Sequence, residues 1–153
     1  MRIVIRLAAL VMVGASALLT AQAQTGASAV DQQLFAGVNR VRKAQALPGL
    51  KWNEALAAAA RRHAELMAQH GSAEHGYAGE PGLASRVTKA GVRWVSVAEN
   101  VIQGTSAEDI QAGFLKSANH RANMLDAEMD SIGVGVVERG GQLFAVEDFS
   151  KAK

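Results

Sequence analysis

The sequence predicts an α+β domain in which helices cover both faces of a small, largely antiparallel sheet. Two observations carry this. Ahead of residue 117, stretches with apolar residues at spacings of three and four lie between recognisable helix caps and stops. The chain then closes on two β-rich runs, SIGVGVVER and QLFAVEDFS, joined by Gly140-Gly141, a two-residue hairpin signal. Helix, helix, extended run, helix and hairpin in that order give the α+β class.

The opening residues read as an export signal. Arg2 and Arg6 precede an apolar and small-residue run from Leu7 to Leu19, and Ala21-Gln22-Ala23 places small residues where a signal peptidase reads them. The run falls short of the ~20 apolar residues that a membrane-spanning helix needs. The expected organisation is a signal peptide over 1–23, a leader over 24–30 and one domain over 31–150, exported to a periplasm or to the cell exterior. With no cysteine after the run, no lipoprotein anchor is expected, nor any stable membrane anchor once the signal is cleaved.

Cleavage after Ala23 leaves 130 of the 153 residues, enough for one compact domain and expected to act as a monomer. The formal charge of +2 leaves with Arg2 and Arg6, because Lys+Arg falls from 16 to 14 against 14 Asp+Glu. A near-neutral chain argues against nucleic acid as a partner, since that rewards a basic stripe, and against binding acidic lipid by charge alone. Export permits disulfides, yet the sequence has no cysteine, so the fold must stand on its hydrophobic core. A domain of this size buries roughly two-thirds of the surface its unfolded chain exposes.

From Asp31 a helix is expected, with Leu34, Phe35, Val38 and Val41 on one side and a stop at Leu47-Pro48-Gly49. Leu50 to Trp52 reads as a short extended connection, and Asn53 as the N-cap of a second helix that Gly71 ends. The expected buried stripe of that helix is Leu56, Ala59, Ala60, His63, Leu66, Met67 and His70, its alanines implying close approach to another element. Ser72 to Gly82 is a loop, Leu83 to Ala90 a short helix, and Val92 to Ile102 a strand with Glu99-Asn100 in its middle. Thr105 or Ser106 caps the next helix, which changes direction or ends near Ser117 to Asn119, and one further turn spans His120 to Leu125.

Three positions hold polar side chains in awkward settings: His75 in a glycine-rich loop, Glu99 in an apolar strand and His120 at a helix end. A carboxylate inside an apolar strand is costly to bury without partners. Two imidazoles and a carboxylate would suit zinc or another divalent ion, or could work as acid and base without one. Their spacings of 24 and 21 residues match no local metal motif. On the residues alone, a Glu99 that pairs with an imidazolium simply to settle its own charge accounts for the pattern better than a metal or catalytic site does.

The combination of HAELMAQHGSAEHG, AEN, SANHRAN followed by IGVGV, and a closing FAVEDF resembles the CAP superfamily in its bacterial SCP-domain form, over roughly Val30 to Ser150. This superfamily holds the cysteine-rich secretory, antigen 5 and pathogenesis-related class 1 proteins. The resemblance implies a three-layer α-β-α sandwich with a cleft holding two histidines and, in eukaryotic members, two acidic residues. By motif position His75 and His120 would be the histidines, candidate metal ligands, and Glu99 the first acid, all three being candidate catalytic residues. Ala98 stands where the family has glycine, and Ser117 where the second acid would be. Glu147 could stand in for that acid if it faces the cleft, and Asn100, Ser117 and Asn119 are expected to supply hydrogen bonds around the site.

Two functions follow from the resemblance. One is a ligand-binding or interaction module, taking a lipid or a protein partner, that requires no cofactor and whose cleft could hold a divalent metal such as zinc. The other is a metal-dependent, peptidase-like hydrolase with Glu99 orienting water. Against the enzyme stands the lack of a nucleophile with its base. There is no cysteine, and a Ser117–His120 pair is the sole serine candidate.

Overall fold

The structure is a computed structural model and describes residues 27–153; the signal peptide expected over 1–23 lies outside these residues. The elements run α1 (Ala29–Ala44), β1 (Lys51–Trp52), α2 (Glu54–His70), α3 (Leu83–Lys89), β2 (Trp94–Gly104), α4 (Ala107–Lys116), α5 (Ala118–Leu125), β3 (Ser131–Arg139) and β4 (Gln142–Ala152). The four strands form one sheet in the order β1-β3-β4-β2. Both long pairings are antiparallel and only the two-residue β1 pairs parallel, so the sheet is mixed but largely antiparallel, as expected. Gly140 and Gly141 turn the β3–β4 hairpin with φ of 61° and 77°, values that favour glycine at both positions.

The period-two alternation of β4 sorts the core into two layers. Ala145 and Phe149 face α1, α4 and α5 and pack with Leu34, Val38, Ile110, Phe114 and Met124. Phe144 and Val146 face the other way and pack with Ala60, Ala64 and Met67 of α2. The alanines of α2 do bring it close. A Cβ at Gly133 would lie 2.0 Å from Ala57 N, and one at Gly135 would lie 2.2 Å from Arg61 N, so α2 rests directly on the β3 backbone. The stripe of α2 differs from expectation at its end: His63 is wholly buried, Leu66 is only half-buried, and His70 is exposed and stacks on Tyr77 at 4.2 Å.

Helix α1 begins earlier than its periodicity implies. Ser28 and Asp31 form a reciprocal capping box, so Ala29 and Val30, assigned to the leader, belong to the first turn. Asp31 is fully buried. Besides the cap it accepts from Arg61 and, at 2.9 Å, from the Val136 amide, tying three elements together. Arg42 ties α1 to the far end of the same layer. Its guanidinium donates to the carbonyls of Pro48, Met124 and Asp126, including those left open where α5 ends.

Candidate functional site

The site straddles β2, an edge strand, and is set by its register with β4. Glu99 lies opposite Asp148, and Asn100 opposite Glu147. Because successive strand residues point to opposite faces, the Glu99–Asp148 pair is turned toward α2 and α3, and the Asn100–Glu147 pair toward α5.

On the α2–α3 side, Glu99 is buried and both its oxygens are engaged. Oε1 accepts from His75 Nδ1 at 2.9 Å, and Oε2 accepts from Arg86 Nη2. The Arg86 guanidinium, also buried, donates to the carbonyls of His75 and Pro81 and lies 3.6 Å from Glu80 Oε1. His63 completes the cluster. Its Nδ1 is 2.7 Å from Glu80 Oε1 and its Nε2 is 2.8 Å from the Glu74 carbonyl, so both ring nitrogens face oxygen atoms. Asp148 is fully buried with no hydrogen-bond partner on either oxygen. Burial, reinforced by the nearby Glu99, pushes its pKa well above the usual carboxylate range. Arg86 and His63 are the groups that face Glu99 and Glu80 in this cluster.

On the α5 side the polar groups are amides. Asn100 Nδ2 donates to the His120 carbonyl at 3.1 Å and to Glu147 Oε2 at 3.0 Å. Asn123 Nδ2 donates to Asn100 Oδ1 at 2.9 Å. Glu147 is completely buried, and burial raises its pKa to about 8 despite the Asn100 hydrogen bond, so it holds a proton at neutral pH. His120 lies inside the first turn of α5 rather than beyond a helix end. Its ring meets Phe114 edge-on at 5.2 Å, and its Nδ1 is buried without a partner. Burial, followed by the charge of His75, lowers its pKa below 6.5.

His75 and Glu99 are thus in direct contact, and His120 stands close enough to His75 to feel its charge. Ser117 caps α5: its Oγ accepts from the His120 backbone N–H at 3.3 Å, so the interaction with His120 is through the main chain. Asn119 is exposed and makes no side-chain hydrogen bond among the described residues. Glu147 sits beneath Asn100 and is out of reach of solvent, so it does not line an open cleft. Among the described residues, no three His, Asp or Glu side chains converge in a way that would hold a metal ion. The donor set for one reduces to the His75 and His120 imidazoles, short of the three protein ligands a resident catalytic zinc takes.

Arg86, Glu80 and Asp148 escaped sequence reasoning, and His63 was read only as part of the buried stripe of α2. The signal was present for Asp148, since an acidic pair inside FAVEDF must put one carboxyl on each face of a buried strand.

The pattern of the cysteine-rich secretory protein family, CAP, matches residues 35–149. The chain belongs to that family. It does so without a single cysteine. Among curated proteins it is 26% identical over 122 residues to the uncharacterised protein YkwD of Bacillus subtilis, covering 79% of this chain and 48% of YkwD. Among solved structures, an extracellular SCP-domain protein of Bacillus anthracis superimposes with a TM-score of 0.74 at 26% identity, covering 80% of this chain and 40% of that one. An outer surface protein of Borrelia burgdorferi superimposes with a TM-score of 0.75 at 19% identity, over 81% and 93% of the two chains. The chain therefore spans about half or less of the two Bacillus proteins, whereas it matches nearly all of the Borrelia protein. The α-β-α sandwich is the CAP fold.

Proposed function

We propose that this chain is an exported CAP-domain binding module whose His75–Glu99–His120 cleft recognises a lipid or protein ligand and does not turn over a substrate. The observation that carries this reading is the state of Glu99. With Arg86 on one oxygen and His75 on the other, its carboxylate is committed to orienting His75 and is not free to take a proton from water. Ser117, engaged as a helix cap, is likewise no nucleophile paired with a base. The peptidase-like alternative has no specific support from this geometry.

The Glu99 contact also fixes the His75 tautomer. With Nδ1–H donating to Glu99, Nε2 of this exposed ring is left as a ligand atom, and His120 is neutral at pH 7. Two imidazoles facing one opening suit a weakly held, exchangeable divalent ion that a ligand could share. Calorimetric titration of the domain with zinc tests this. Weak binding lost in both His75→Ala and His120→Ala is the expected result. Zinc binding untouched by both changes overturns the metal assignment, and hydrolysis of a peptide library that needs Glu99 overturns the binding-module reading. Export itself is checked by the mass of the secreted protein, expected to begin at Gln24.

A further inference from the structure

A second cleft lies on the α2–α3 flank. It encloses about 210 Å³ and is lined by Arg62 and Leu66 of α2, Glu80 and Pro81 of the intervening loop, and Arg86 and Lys89 of α3. Three cations face one carboxylate. Arg62 and Lys89 are exposed, and among the described residues neither has an acidic partner. Arg86 is only 7% exposed, its two terminal nitrogens occupied by Glu99, Glu80 and main-chain carbonyls, yet its Nε–H has no hydrogen-bond partner. A buried donor of this kind is costly to leave unmet. Leu66 and Pro81 add an apolar wall beside the charges.

We infer that this cleft binds a compact carboxylate on a short apolar stem, with Arg62 and Lys89 neutralising the charge and Leu66 and Pro81 covering the stem. A bare phosphate would meet the cations but leave the apolar wall wet. A neutral molecule of the same shape would leave the cations unanswered. The inference is independent of the zinc reading, because none of the cleft residues is His75 or His120. Arg86 nevertheless connects the two places, since the guanidinium that borders this cleft also holds Glu99 against His75. A bound carboxylate is therefore expected to shift the His75 ring resonances as well as those of the cleft.

The experiment is a nuclear magnetic resonance titration of the folded domain with isovalerate, alongside isovaleramide and inorganic phosphate, following the Leu66 methyls and the Arg86 Nε–H. Saturable shifts with isovalerate alone are expected, in the roughly millimolar range for so small a ligand. The doubly substituted Arg62→Ala, Lys89→Ala domain, altered only at exposed positions, is expected to bind about five- to tenfold more weakly, with less sensitivity to salt. The absence of a saturable shift overturns the assignment. So does equal binding of the amide, phosphate binding as tight as isovalerate, or affinity unchanged in the double variant. His75→Ala is expected to keep isovalerate binding while losing zinc, which separates failure of this inference from failure of the cleft reading.

Discussion

The two faces of the β2–β4 edge deal with buried carboxyls in opposite ways. Toward α2 and α3, Glu99 and Glu80 are met by Arg86 and His63, and burial raises the pKa of Asp148. Toward α5, Glu147 has only an amide, Asn100, and keeps its own proton. The same two strands build both faces, one residue apart. The ionic face therefore owes its stability to cations from other elements, and the α5 face to the protonation state of one acid. Burying ions is worthwhile only while every partner stays in place, and removing one leaves an uncompensated charge.

The contrast between the faces breaks most severely at Arg86. Replacing it with methionine leaves the buried Glu99 and Glu80 with only the His75 and His63 imidazoles, and a loss of about 3–5 kcal/mol is expected in urea unfolding. A loss under about 1 kcal/mol would show that solvent reaches this cluster and that the two faces differ less than their contacts imply.

Glu147 sharpens the contrast through pH. Its folded pKa of about 8 lies above the ordinary 4.5, so the folded chain binds the extra proton between these values, and its contribution to stability is lost as pH rises through about 8. In Glu147→Gln that loss is absent. The stability of the variant relative to the natural chain is expected to improve by about 2–4 kcal/mol between about pH 5 and pH 9. Parallel stability curves across that range would mean that the α5 face holds a charge after all.

The smallest effect is expected at His75, whose side chain is 63% exposed although it touches the buried Glu99. Arg86 still holds Glu99 Oε2, and a glutamine amide at position 75 can donate to Oε1 in place of the imidazole. His75→Gln is thus expected to change stability by no more than about 0.5 kcal/mol while removing a zinc ligand. A larger destabilisation in thermal unfolding would make His75 part of the ionic face's structure and weaken its assignment to the cleft.

Much of this was legible in local patterns. Asn53 and Gly71 bounded α2, Gly140-Gly141 placed the hairpin, and the alanines of α2 signalled close approach to another element, which the structure identifies as the β3 backbone at Gly133 and Gly135. These features depend on backbone conformation and spacing, which neighbouring residues specify. His75, Glu99 and His120 could be named from motifs, because each lies in a short stretch with a distinctive composition. Their partners could not. Arg86 meets Glu99 across 13 residues, and His63 meets Glu80 across 17, through side chains whose reach depends on how α2 and α3 dock on the sheet. Asp148 and Glu147 differ in sequence by one position, yet which of them faces cations and which faces amides follows from strand register and from the helices packed on either side. Charge compensation acts over distances of a few ångströms in space, irrespective of separation along the chain, so it was set only when the layers came together.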